Sequence, residues 1–279
     1  MRKMTTGDIQ GVSLEILKHV DHFCRERNIR YWLSDGSMLG AIRHKGFIPW
    51  DDDLDISMPR PDYERFLVEF VDSDEFKLYA AQRGNCFLTY ARVCEMRRTH
   101  FAPCTPWTQK SERPGVGIDV LPLNGAPDTM DEYLRDFYKV SSELQDRLLD
   151  IRRLLMPPSF RHTPFGFIKD IAHGLARYAK RPFFNRLMNA TMQAQIAVQR
   201  RCDYDKAKFV YSLMIFNRRP QLWKKEWFSS VVDVPFCDGV FPVPVGYDHY
   251  LRSVYGDYMT PPPESARGGH ENWNELFWL

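Results

Sequence analysis

Apolar residues near the amino terminus recur at helical spacing. Ile9, Val12, Ile16, Val20 and Phe23 share one face, which predicts a packing helix over 8–27 with Asn28 as its cap. The period then shortens. Residues 29–33 predict a strand, and Gly36-Ser37 a turn into a short helix. Leu54 and Ile56 alternate with acids and predict a second strand, closed by Met58-Pro59-Arg60-Pro61-Asp62. Tyr63, Phe66, Leu67 and Phe70 predict a helix over 62–71. Further strands are expected at 76–80, 87–93 and 116–123, and a long helix at 128–155, stopped by Pro157-Pro158. Near the carboxyl end an extended segment at 241–244 precedes a short helix at 247–255.

The acids interrupting that second strand carry the chemistry. Asp51, Asp52, Asp53 and Asp55 lie almost side by side, and so many carboxylates repel unless something compensates them. If Leu54 and Ile56 face the core, Asp53 and Asp55 share the opposite face and can grip one ion. Hard oxygen ligands suit Mg2+ (or Mn2+), which commonly adds waters and substrate phosphates to its shell. Gly36 lets a phosphate approach the backbone, and a helix start at Ser37 offers free N–H donors. Arg43, His44 and Lys45 follow on a loop. They read either as ion pairs that steady it or as a clamp on phosphates, the clamp being preferred for Arg43 and Lys45. Asp119, a lone acid in an apolar strand, needs a partner. Pairing with an arginine is one account; a third carboxylate meeting Asp53 and Asp55 is the other, and the preferred one. Arg92 is either a phosphate contact or, by default, a surface arginine, and Trp50 is a packing residue beside the acids.

Composition narrows the field. With 279 residues the chain can bury a sizeable core, and a formal charge of +2 gives no global field for nucleic acid. Apolar runs are too short to span a bilayer, and no apolar stretch follows residues 1–7, so a cytoplasmic location with reduced thiols is expected. Cys86, Cys94, His100 and Cys104 are a conceivable zinc set whose spacing fits no standard finger. Basic residues interleaved with aromatics over 152–186 read as a solvated helical face or as a peripheral contact with anionic lipid at the inner face of the membrane.

The contiguous string Gly36-Ser37-Met38-Leu39-Gly40-Ala41-Ile42-Arg43-His44-Lys45-Gly46-Phe47-Ile48-Pro49-Trp50-Asp51-Asp52-Asp53-Leu54-Asp55 resembles the LicD branch of the nucleotidyltransferase fold, which includes fukutin-like proteins. The ending Tyr255-Gly256-Asp257-Tyr258-Met259, followed by prolines, Arg267 and His270, resembles it again; Arg267 and His270 either return over the site or are ordinary tail residues. The resemblance implies an α+β fold, a mixed β-sheet core flanked by helices, with an additional helical region. The expected layout is a catalytic core over 1–127, a mainly helical region over 128–228 and a segment over 229–279 packing back on the core. It implies transfer of a phospho-alcohol, phosphocholine first, from a CDP-activated donor to a glycan or lipid-linked glycan acceptor. Asp53, Asp55 and Asp119 would be catalytic and bind the metal; Gly36, Ser37, Arg43 and Lys45 would hold the donor. A nucleotidyltransferase moving a nucleoside monophosphate, a CDP-ribitol or CDP-glycerol type transferase and a non-catalytic nucleotide- or glycan-binding module stay open on the same motif.

Overall fold

A computed structural model describes residues 2–101, 114–155, 166–212, 220–268 and 276–279. The chain opens with α1 (Thr6–Arg27). Thr5 accepts a hydrogen bond from the Asp8 amide while Asp8 accepts one from the Thr5 amide, so two of the orphan N–H groups at the helix start are satisfied reciprocally. Asn28 ends α1 in the left-handed conformation, as the sequence predicts.

β1 (Trp32–Leu33) leads to α2 (Asp35–His44), then β2 (Asp55–Pro59), α3 (Arg60–Glu69) and β3 (Phe76–Tyr79). β4 (Ala91–Glu95), β5 (Thr99–Phe101) and the long β6 (Gly117–Ala126) follow. α3 starts earlier than its apolar spacing suggests, because Pro61 sits in the first turn, where a missing N–H costs nothing. β4 starts later than predicted: the approach to it is a turn in which the Asn85 side chain bonds the backbone of Ala80 and Leu78. The strand order is β1-β2-β6-β4-β3. β2 and β6 are parallel, and the other pairs are antiparallel, which makes the sheet mixed.

The helical stretch begins as a short turn, α4 (Met130–Glu132), runs through a π-helical segment (Tyr133–Tyr138) and continues as α5 (Lys139–Leu155). α6 (Gly166–Gln199) packs on α5. This region is not helical throughout. β7 (Phe209–Tyr211) and β8 (Trp223–Lys224) extend the sheet from the far end of β6. Neither is foreseeable from the residues, since both are too short to show a period.

Arg60 ties this region to the sheet from within. Its Nε donates to Asn124 Oδ1 at 2.8 Å and its Nη2 to Gln199 Oε1 at 2.8 Å, joining α3, β6 and α6. β9 (Val231–Phe236) and β10 (Gly239–Pro244) form a hairpin packed on β1 and α2, and α7 (Tyr247–Tyr255) coincides with its predicted range. β11 (Leu276–Trp278) pairs with β5. The core lies between the sheet and α1 and α3, where Ile16, Leu17, Val20, Ile56, Phe66 and Ile118 are wholly or nearly wholly buried. No helix among the described residues is long and apolar enough to cross a membrane.

Candidate active site

The acids gather where β2 and β6 begin side by side. Asp55 opens β2 and is the register partner of Asp119 on β6. Partners in a parallel pair point to the same side of the sheet, so the two carboxylates share one face. Leu54 and Ile56 are buried in the core, as the alternation demanded. Asp53 lies just before the strand rather than within it.

The Gly36-Ser37 turn is bolted to this pair. Ser37 Oγ accepts the Asp55 amide at 2.8 Å, the Ser34 amide donates to the Asp55 carbonyl at 3.0 Å, and the Asp119 amide donates to the Leu54 carbonyl at 2.9 Å. Gly36 stands close under the acidic loop: a Cβ there would lie 2.9 Å from Asp51 Oδ2, the movable end of that side chain. The helix start, the acidic loop and both strand ends therefore form one rigid surface.

Electrostatics mark Asp55 as the strained member. Burial first, then Asp119, Asp53, Asp35 and Asp51, hold its carboxyl well above the usual carboxylate range. Asp119 is compensated from the other side. Arg92, its register partner on β4, places Nε 3.3 Å from Asp119 Oδ1. Burial is the largest single influence on Arg92 and works against its charge, but Asp119, then Cys94, Tyr90 and Asp53, together outweigh it, and the guanidinium is held more firmly protonated. Asp119 thus pairs with an arginine, and its register sets it beside Asp55. The default surface role for Arg92 is corrected, since only 17% of its side chain is exposed.

Sequence reasoning missed Asp35. It begins α2 at a φ of 44°, a left-handed conformation costly for a residue other than glycine. Tyr250 Oη donates to Asp35 Oδ1 at 2.8 Å and Ser34 Oγ to Asp35 Oδ2 at 2.8 Å, while Ser57 Oγ donates to Ser34 Oγ at 2.8 Å. Burial raises the Asp35 carboxyl, and the bonds from Tyr250 and Ser34 oppose the rise. Nothing local in the sequence pairs Asp35 with α7. Tyr255, at the end of the same helix, is 40% exposed; burial raises its hydroxyl, and Asp35, Asp55 and Asp51 raise it further.

Arg43 and His44 close the last turn of α2 and Lys45 caps it, rather than lying on a loop, and Arg43 and Lys45 are turned onto the backbone. Arg43 Nη1 donates to the Tyr258 carbonyl at 2.7 Å, and Lys45 Nζ to the Ile42 carbonyl at 3.2 Å. Burial, then Arg267, lowers the Arg43 pKa, and burial, then Arg43, lowers that of His44. Arg267 does return to this side of the molecule: its guanidinium lies 4.9 Å from the centre of the Trp50 ring. His270 lies outside the described residues.

Among the described residues, no three of the His, Cys, Asp and Glu side chains converge as a ready-made metal cage. Asp55 and Asp119 instead suit a cation that takes one or two carboxylates and completes its shell with water and substrate phosphate, which is the habit of Mg2+. For the zinc set, Cys104 lies outside the described residues, and Cys86 and Cys94 pack in an apolar cluster with Leu88, Tyr90 and Leu121. Burial pushes both thiols up to about 12, as expected of inert core cysteines.

Residues 28–148 match the LicD/FKTN/FKRP nucleotidyltransferase domain, so the match covers the turn, the acid cluster and β6. Over 275 residues, 97% of this chain and 97% of the relative, the sequence is 28% identical to the lipopolysaccharide cholinephosphotransferase LicD of Haemophilus influenzae. On these matches the chain is similar to LicD-family proteins. Shorter stretches are similar elsewhere. The human ribitol 5-phosphate transferase FKRP is 43% identical over 44 residues, 16% of this chain and 9% of FKRP. An uncharacterised protein of Rickettsia prowazekii, RP689, is 44% identical over 63 residues, 22% of this chain and 24% of the relative.

Proposed function

We propose that this chain moves a phospho-alcohol, phosphocholine being the first candidate, from a CDP-activated donor to a hydroxyl of a cell-surface glycan precursor. One observation carries the reading: Asp55 and Asp119 are register partners at adjacent parallel strand ends, directly against the Gly36-Ser37 turn. The full-length similarity to a lipopolysaccharide cholinephosphotransferase supports the choice of group.

The roles follow from position. Gly36 and Ser37 approach the diphosphate with backbone N–H groups at the start of α2. Asp55 and Asp119 would hold Mg2+ or Mn2+, which when bound would neutralise charge on the diphosphate, and Asp53, just before β2, would stand beside them. Arg43 and Lys45 supply positive charge at the rim once phosphate draws them from their backbone partners. The acceptor oxygen bonds to phosphorus as the bond to the leaving cytidine monophosphate breaks, and the hydroxyl proton passes to a carboxylate of the Asp55–Asp119 pair.

The test is incubation of the purified protein with CDP-choline, divalent cation and a deacylated lipopolysaccharide acceptor. Release of cytidine monophosphate with choline phosphate on the acceptor is expected, and EDTA should stop it. Release of pyrophosphate, or cytidine monophosphate appearing on the acceptor, would instead mean nucleotidyl transfer. Activity with CDP-ribitol but not CDP-choline would move the donor to the chemistry of FKRP's name.

A further inference from the structure

Asp55, Asp119 and Arg92 form one row across three neighbouring strands, β2, β6 and β4. The carboxylate in the middle has an acid on one side and a guanidinium on the other, with Nε 3.3 Å from Oδ1. Both members of that ion pair are largely shielded, at 17% and 16% side-chain exposure. The arginine is also fixed at its tip, where Nη2 donates to the Gly117 carbonyl at 3.1 Å. Gly117 leaves it room: a Cβ at that position would stand 2.8 Å from Arg92 Nε and 2.6 Å from Cys94 Sγ. The sheet thus holds a positive charge beside one of the two carboxylates to which the proposed function assigns a cation.

We propose that Arg92 makes cation binding at Asp55 and Asp119 conditional on the donor's diphosphate. The inference rests on the function proposed above and adds an order to it. A divalent cation arriving alone on Asp119 meets a fixed guanidinium on the same carboxylate, and like charges this close in a shielded place repel strongly. A diphosphate changes the sign of the balance. Its oxygens ligate the cation and bring negative charge, so the same guanidinium that opposed the bare ion attracts the ion–diphosphate complex. Two ligands each bound more tightly in the presence of the other constitute a coupling, and it is reciprocal. Arg92 is here a positioning residue: it holds Asp119 and acts on the cation through it. The physical benefit is that the acid cluster does not fill with metal before a donor is present.

The experiment measures Mn2+ binding at pH 8 by loss of the free-ion paramagnetic resonance signal, with and without CDP. It compares the wild type, Arg92→Met and Arg92→Lys, each checked for wild-type circular dichroism. In the wild type, CDP should tighten Mn2+ at least about tenfold, within the range typical of coupled sites. In Arg92→Met, Mn2+ alone should bind about tenfold more tightly than in the wild type, and the gain from CDP should fall below about threefold. Arg92→Lys keeps the charge and should keep most of the coupling. Should Arg92→Met show the wild-type response to CDP, or weaker binding of Mn2+ alone, the inference is overturned while the proposed function stands. A wild type that binds neither Mn2+ nor CDP overturns both.

Discussion

Asp55→Asn and Asp119→Asn remove one charge each from neighbouring positions, yet the structure assigns them opposite effects on stability. Asp55 sits buried beside Asp119, Asp53, Asp35 and Asp51, and burial and those acids raise its pKa in the folded state. A raised carboxyl pKa means that ionisation opposes folding. The penalty is absent below the unfolded pKa, grows as pH rises through the window between the unfolded and folded values, and is complete above the folded one. Charges about 5 Å apart, the spacing of adjacent strands, repel by about 3 kcal/mol at an effective dielectric near 20. Arg92, on the far side of Asp119, cancels part of this. Asp55→Asn should therefore stabilise the metal-free protein by about 1–2 kcal/mol at pH 8, raising the melting temperature by about 2–8 °C. The gain should shrink towards zero as pH falls towards 4. Asp119→Asn instead strips the shielded Arg92 of its carboxylate and should cost about 1–3 kcal/mol at pH 8. Differential scanning fluorimetry without divalent cation, run across this pH range, measures both. An Asp55→Asn protein melting below the wild type at pH 8, or gaining equally at both ends of the range, would refute the electrostatic reasoning. Under the proposed function both variants lose turnover, so activity and stability should part company at Asp55.

Other substitutions test other parts of the site. Ser37→Ala leaves the Asp55 amide without its 2.8 Å acceptor and should lower stability by about 1–3 kcal/mol in urea unfolding. Gly36→Ala puts a methyl where phosphate would approach the backbone, so CDP affinity measured by calorimetry should fall at least about tenfold while stability is nearly kept, because Asp51 Oδ2, 2.9 Å from the new methyl, can turn aside. Tyr250→Phe removes a donor from Asp35 Oδ1; since that bond holds the carboxyl pKa down, the Asp35 titration followed by carbon-13 resonance should move to higher pH. Arg60→Met leaves Asn124 and Gln199 without their shared partner and should cost about 2–4 kcal/mol in chemical unfolding, with CDP affinity kept because Arg60 lies at the other end of β2.

Much of this was legible in the residues, for identifiable reasons. α1 announces itself by period and α7 by its bounds, and the Leu54–Ile56 alternation fixes which way Asp55 faces. The string 36–55 is contiguous, so the turn and the acids it serves lie close in sequence as well as in space. What stayed hidden depends on separation. Arg92 and Asp119 meet only because β4 pairs with β6, and no local pattern states that register. Asp35 is held by a tyrosine 215 positions later. β7 and β8, of three and two residues, are too short for periodicity and exist because β6 offers them an edge. Charge and the neighbouring Gly36-Ser37 turn suggest the Arg43 and Lys45 clamp, and neither reveals that backbone carbonyls occupy both side chains first.

The reach from Asp35 to Tyr250 has a consequence for how the protein is made. A ribosome completes the glycine turn and both acidic strand ends long before it delivers the helix that steadies Asp35. During that interval the nascent chain carries its acids in place but not their late-arriving tyrosine. Mature geometry at the start of α2 therefore waits until α7 has been translated, and a stop codon before it would leave an otherwise well-packed sheet with a loosened mouth.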